Sequence, residues 1–153
     1  MRLTVKSDYA IRALAELAAR SDGTTPMRAA ELAEAQDIPP RFLLGILAEL
    51  RKEGLVASQR GAEGGFIFRR PPKDITLADI IRAVDGPLAQ VGDDRPGEVT
   101  YVGAAAGLTD VWVAVRASLR AVLEKVTLAD LAAGRLPSSV TRLTKDPDTW
   151  EPH

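Results

Sequence analysis

The chain of 153 residues contains no cysteine, and its one histidine is the last residue, His153. Disulfides, thiol nucleophiles and thiolate metal sites are excluded together, and most imidazole chemistry goes with them. No apolar run approaches the roughly 20 residues needed to cross a bilayer. The opening Met1-Arg-Leu-Thr-Val-Lys-Ser-Asp8 lacks the uninterrupted apolar stretch of a signal peptide. Carboxylates, Lys, Tyr and hydroxyls remain, and no tight constellation of them is found. The expectation is therefore no enzyme, with no catalytic residue, no metal ligand and no cofactor.

Hydrophobic residues make up 46% of the chain and charged residues 27%, the balance of a soluble globular protein rather than a disordered one. The length fits one compact domain, or a small domain with an appendage. Net charge is −1, which alone argues against nucleic acid, but the charge is unevenly spread. From Pro39 to Arg70 six basic residues face three acidic ones, a net of +3, whereas from Thr76 onward eight basic residues face eleven acidic ones, a net of −3. A modest basic patch beside an acidic remainder suits specific DNA binding better than indiscriminate coating.

The basic segment contains Glu53-Gly-Leu-Val-Ala-Ser-Gln-Arg60-Gly-Ala-Glu-Gly-Gly-Phe66-Ile-Phe-Arg-Arg70. Val56, Phe66 and Phe68 suit a half-buried ribbon, and Gly61, Gly64 and Gly65 supply the positive-φ positions of a tight hairpin. Arg60 at the tip carries a long planar cation suited to a narrow minor groove or a phosphate pair. This hairpin reads as the wing of a winged helix.

Three helices precede it. Ser7 is the expected cap of the first, with Asp8 in its first turn and Ile11, Leu14, Ala15 and Ala18 as its inward stripe. Thr25-Pro26 reads as an N-cap followed by proline at the first helical position, opening a helix to about residue 35. The break Gln36-Asp-Ile-Pro-Pro40 starts the third helix, which runs to Lys52 with Phe42, Leu43, Ile46, Leu47 and Leu50 buried. Two helices with a short turn, then a hairpin, define helix-turn-helix plus wing. The opposite face of the third helix is the expected reading face. Arg41 lies near its N-terminus, Leu44 can meet a thymine methyl, and small Gly45 and Ala48 allow deep seating in a major groove. The candidate DNA contacts are Thr25, Arg28, Pro40, Arg41, Leu44, Gly45, Ala48, Lys52, Arg60, Gly61, Gly64 and Gly65.

Thr76-Leu-Ala-Asp79 recurs as Thr127-Leu-Ala-Asp130, and both resemble capping boxes. The first opens a helix through Ile80, Ile81 and Val84 that stops at Gly86-Pro87; the second opens a short helix ending at Gly134. Between them, residues 87–107 form a glycine-rich loop, the expected regulatory or sensor segment. From Leu108 to Val126, apolar residues recur at spacings of three and four. Leu108, Val111, Trp112, Val115, Leu119, Val122 and Leu123 form the expected dimer seam, with packing against the chain's own domain as the alternative. Residues 137–153 are read as a flexible tail.

These motifs together resemble the Rrf-two family of bacterial transcription regulators. The resemblance runs from Met1 to about residue 136. It rests on Leu3-Thr-Val-Lys-Ser-Asp-Tyr-Ala-Ile-Arg-Ala-Leu14, Leu47-Ala-Glu-Leu-Arg-Lys-Glu-Gly-Leu-Val56, Arg60-Gly-Ala-Glu-Gly-Gly-Phe66, Asp79-Ile-Ile-Arg-Ala-Val-Asp-Gly-Pro87, and Trp112 followed by Thr127-Leu-Ala-Asp130. It implies a mainly α fold: a winged helix-turn-helix domain over 1–86, the loop 87–107, and a dimerisation helix with a short following helix over 108–136. It also implies a homodimer with the third helices in successive major grooves and Arg60 in the minor groove. The expected function is that of a cytoplasmic repressor, nucleoid-associated when bound to DNA, acting on a pseudo-palindromic operator. Several members of the family hold an iron-sulfur cluster through three cysteines in the loop before the long helix. Here that loop offers Thr100, Gly103 and Ala104 to Gly107, so the resemblance favours the cluster-free branch, some of whose members work through a partner enzyme. Asp8 aligns with a carboxylate ligand of some cluster-bearing members, and helix capping accounts for it better. A small-molecule or protein effector stays open. The alternative is a winged-helix interaction module controlled by a partner enzyme, with weak or no DNA binding.

Overall fold

The structure, a computed structural model, describes residues 3–20 and 25–152; His153 lies outside the described residues. Helix α1 spans Val5–Arg20. Its cap is Thr4, whose hydroxyl oxygen accepts the Ser7 N–H at 3.0 Å. Ser7 is thus inside the first turn and not the expected cap: its side chain is buried, and its hydroxyl donates to the Asp85 carboxylate. Asp8 does sit in the first turn, where the helix dipole favours a carboxylate. The fully buried stripe is Ala10, Ala13, Leu14 and Leu17, while Ile11, Ala15 and Ala18 flank it half-buried. The small alanines let neighbouring helices approach from several sides.

Helix α2 spans Ala29–Gln36. The expected start at Thr25-Pro26 is not where it begins, because Met27 is claimed by the wing. Met27 and Phe66 exchange backbone bonds, Met27 N–H to Phe66 oxygen at 3.0 Å and Phe66 N–H to Met27 oxygen at 2.7 Å. Proline at 26 biases Thr25 away from helical dihedrals and favours this extended entry. After α2 the chain reverses at Asp37, which adopts φ 50°, a conformation short polar residues tolerate. Ile38 then donates its N–H to the Ala33 carbonyl at 2.9 Å and buries its side chain.

Helix α3 spans Pro40–Lys52, with Leu43, Ile46, Leu47 and Leu50 buried at spacings of three and four. Each such side chain withdrawn from water contributes ~1.5–3 kcal/mol. Phe42, expected in that stripe, is 47% exposed. It lies at the edge of the four-residue stripe and packs edge-on against Tyr9, ring centroids 5.7 Å apart.

The wing consists of β1, Val56–Gln59, and β2, Gly65–Phe68, paired antiparallel with Val56 opposite Phe68 and Gln59 opposite Gly65. Gly61 at the tip takes φ 107°, which side chains rarely adopt. Gly64, also expected at positive φ, is needed for closeness instead: a Cβ there would collide with the Gln59 and Gly61 carbonyl oxygens. At Gly65 a Cβ would strike the Met27 carbonyl, the contact that closes the ribbon.

Helix α4 spans Leu77–Asp85 and α6 spans Leu128–Ala132. Both open with the expected capping box: Thr76 and Thr127 each accept an N–H three residues on, at 3.1 Å, and Asp79 and Asp130 return the bond to the threonine N–H. Helix α5 spans Leu108–Leu123, shorter than the expected run to Val126, which lies beyond it and is buried. Leu128 shares one core with Leu14, Leu47, Leu50, Val56, Ile75 and Ile80, so α6 folds back onto α1. Residues 138–150 carry α7, Ser138–Leu143, and a short 3-10 turn. Trp150 remains 72% exposed and donates its indole N–H to the Thr144 carbonyl at 2.9 Å.

Candidate nucleic-acid interface

Burying Leu43, Ile46, Leu47 and Leu50 turns the other side of α3 outward. Arg41, Leu44, Gly45, Ala48 and Lys52, at spacings of three and four, form one exposed stripe, beginning beside the exposed Pro40. A Cβ added at Gly45 would meet nothing within 4 Å, so the surface there is open to close approach. Arg60 and Gly61 stand exposed at the wing tip. Among the described residues Arg41, Lys52 and Arg60 make no side-chain ion pair or hydrogen bond, which leaves three cations free for an external anion. Thr25 is exposed before α2, whereas Gly64 and Gly65 are half-buried and serve the wing's packing.

Two side chains fasten the wing to the helices. Arg28 gives its guanidinium to the Ala62 carbonyl at the wing tip, and Arg51, at the end of α3, donates to Ser58 Oγ at 3.2 Å. Arg28 was expected as a DNA contact; its observed engagement is with the wing. Arg51 and Ser58 were not among the expected residues, and no local pattern marks a bond between a helix end and a strand seven residues later. Of the two arginines after β2, Arg70 is occupied by Asp79 at 3.6 Å and by the Asp74 carbonyl.

Helix α3 is also tied to α1. Lys6 Nζ lies 3.0 Å from Glu49 Oε2 and 3.9 Å from Asp85 Oδ1, and Asp85 accepts from the hydroxyls of Thr4 and Ser7. On the far side, no residue of α5 is buried. Val111, Val115, Leu119, Val122 and Leu123 form one wall of an apolar groove of about 950 Å³, faced by Leu3, Ile81, Pro87 and Leu88. Of the remaining expected seam residues, Trp112 lines a second cavity on the same helix and Leu108 lines neither. Glu124 joins α5 to α4: bonds from Arg120 first, at 2.9 Å, and from Arg82 hold its carboxyl down to about 2. Asp130 is likewise lowered, chiefly by the Thr127 hydroxyl.

A helix-turn-helix whose second helix presents an open stripe beside a tethered wing defines the class of winged-helix DNA-binding regulators. The sequence profile of the Rrf2 family, described as an iron-dependent transcriptional regulator, matches residues 3–134. The chain belongs to this Rrf2 (Rrf-two) family. It is 49% identical over 146 residues to a helix-turn-helix-type transcriptional regulator of Mycobacterium tuberculosis, covering 95% of this chain and 90% of that one. The structure of CymR, the global cysteine regulator of Bacillus subtilis, is similar with a TM-score of 0.74 at 31% identity, covering 88% of this chain and 98% of that one. T. potens IscR gives a TM-score of 0.69 at 33% identity, covering 88% of each chain. The fold is that of the Rrf2 winged-helix regulators, and the protein is a DNA-binding transcription regulator.

The family's iron does not fit these residues. The chain has no cysteine, and among the described residues no group of three His, Cys, Asp or Glu side chains could hold a metal ion. The segment before α5, where the resemblance puts sulfur ligands, offers Thr100, Gly103 and Ala104 to Gly107. A threonine hydroxyl, two glycines and three alanines cannot replace thiolates.

Proposed function

We propose that the protein is a homodimeric repressor that binds a pseudo-palindromic operator without an iron-sulfur cluster. The observation that carries this reading is the exposed stripe of α3, Arg41, Leu44, Gly45, Ala48 and Lys52, whose cations are unpaired beside a wing held to the same helix by Arg51. Arg41 and Leu44 take the base-reading positions, Lys52 and the wing tip meet phosphates, and Arg60 enters the minor groove. The α5 seam joins two copies and spaces two recognition helices about one turn of DNA, roughly 34 Å, apart. The operon's own upstream DNA, titrated by fluorescence anisotropy at two salt concentrations, tests this. Tight binding that weakens steeply with salt and requires both half-sites supports the reading. Binding no tighter than to random duplex would favour the protein-interaction module instead.

The repressor role has its own test, since DNA binding serves activation equally well. A reporter driven by the upstream promoter rises when the protein is removed if it represses, and falls if it activates.

A further inference from the structure

Between Gln59 and Gly65 the wing tip runs through Arg60-Gly-Ala-Glu-Gly64, with one backbone bond inside it, from the Gly64 N–H to the Gly61 carbonyl at 3.1 Å. Residues 60–63 are exposed, and Gly61 is a positive-φ hinge beside Arg60. One internal bond does not set the direction of a long side chain on such a loop. Among the described residues, the side chain that hydrogen-bonds to this tip from another element is Arg28, whose guanidinium donates to the Ala62 carbonyl.

The other end of that tether is rigid. Arg28 opens α2, where its N–H donates to Glu31 Oε2 at 2.7 Å and its carbonyl accepts the N–H groups of Glu31 at 3.1 Å and Leu32 at 3.2 Å. Met27 before it is buried and exchanges two backbone bonds with Phe66, and Leu32 and Ala33 after it are buried in the core. A strut anchored on the core thus ends two residues from Arg60.

We propose that Arg28 is a positioning residue for DNA binding: its guanidinium holds the wing tip so that Arg60 points into the minor groove, and it makes no DNA contact of its own. This deepens the reading of the wing given above and rests on it. A loop held in its bound conformation before DNA arrives loses less freedom on binding, so the strut strengthens a contact made by another residue. The competing account is direct, because a guanidinium has five N–H donors and Ala62 does not occupy them all. In that account Arg28 itself meets a phosphate.

The test is a double-mutant cycle on the full chain. Parent, Arg28→Ala, Arg60→Ala and the double variant are titrated by fluorescence anisotropy against the protein's own upstream DNA at several salt concentrations. Arg28→Ala is expected to bind about fivefold more weakly, the size of one net hydrogen bond. In the Arg60→Ala background it should cost nothing further and leave the salt slope unchanged, because the strut has nothing left to aim. A loss that multiplies that of Arg60, with the slope lowered by roughly one more, would show a direct phosphate contact and overturn the proposal. Without DNA, ¹⁵N relaxation of the Gly61 and Gly64 amides reads the tether itself. Their heteronuclear NOE should fall in Arg28→Ala and stay at the parent value in Arg60→Ala; an unchanged tip in Arg28→Ala overturns the proposal whatever the DNA does. Arg28 is exposed, so its truncation leaves the core intact, which a thermal melt checks. A loss at Arg60 with none at Arg28 sinks this proposal alone. Upstream DNA bound no tighter than random duplex, or Arg60→Ala binding as tightly as the parent, sinks the underlying reading with it.

Discussion

Thr76 and Thr127 face each other across an antiparallel backbone bridge, each capping its own helix while its neighbour is tied to the opposite strand. Leu77 donates to the Val126 carbonyl at 3.0 Å and Leu128 to the Ile75 carbonyl at 2.9 Å. Two copies of one tetrapeptide are thus used twice, to start helices and to fasten the end of the chain's long excursion back to its beginning. Replacing Thr76 by alanine removes a side-chain acceptor for the Asp79 N–H and costs ~1 kcal/mol. In a chain of this size that lowers the midpoint of thermal unfolding by about 2–4 °C, measured by circular dichroism. An unchanged midpoint would show that the bridge, not the cap, holds this junction.

Glu124 has an ordinary carboxyl value of 4.5 and is held at about 2 by Arg120 and Arg82. A carboxyl whose folded pKa lies below its unfolded one stabilises the fold above the unfolded value, and the contribution fades as pH falls toward the folded value. Glu124→Gln is therefore expected to be less stable than the parent at pH 6. The difference should close between 4.5 and about 2 in thermal melts taken across that range. A gap that stays constant down to the lowest pH would mean that shape rather than charge joins α4 to α5.

Arg60 stands at the wing tip with no partner of its own among the described residues. Arg60→Ala should weaken operator binding by ~1–3 kcal/mol and leave folding and oligomeric state untouched. Anisotropy titration and sedimentation measure the two halves of this statement. Equal affinity in parent and variant would remove Arg60 from the interface.

Leu119 lies in the wall of the apolar groove along α5. Leu119→Glu would place an unpaired charge in a two-copy seam, a cost large enough to dissociate most dimers. Sedimentation should show a monomer whose operator affinity falls by orders of magnitude, with a shallower salt dependence, because half of the phosphate contacts are gone. A variant that remains dimeric would place the interface elsewhere.

Without thiolates the protein purified from its host should lack visible charge-transfer absorption, and its DNA affinity should ignore iron chelators and nitric oxide. A coloured preparation whose binding follows iron would contradict the assignment to the cluster-free branch.

The parts of this fold that could be read from sequence are those set by neighbours. Leu43, Ile46, Leu47 and Leu50 announce α3 by spacing alone, and the two Thr-Leu-Ala-Asp boxes announce α4 and α6 by cap chemistry. The glycines of the wing mark a hairpin, although Gly64 proves to serve close packing rather than a positive φ. What could not be read depends on residues far apart in the chain. Proline at 26 looks like a helix start, and only the presence of the wing's free edge makes Met27 a strand residue. Arg28 on Ala62, Arg51 on Ser58 and Lys6 between Glu49 and Asp85 follow from tertiary placement, which leaves no local signature. Phe42 was misplaced because it borders the buried stripe, and the ring of Tyr9, not the core, receives it.

The exchange of backbone bonds between Met27 and Phe66 also bears on how the molecule assembles. A two-stranded hairpin has little stability by itself in water. Here the outer edge of β2 is completed by a segment from before α2, so the far side of the ribbon is paired only when that segment is in place. In native-state hydrogen exchange the amides of Met27 and Phe66 should open together, with one common protection, as a unit distinct from the amides of the α1 core.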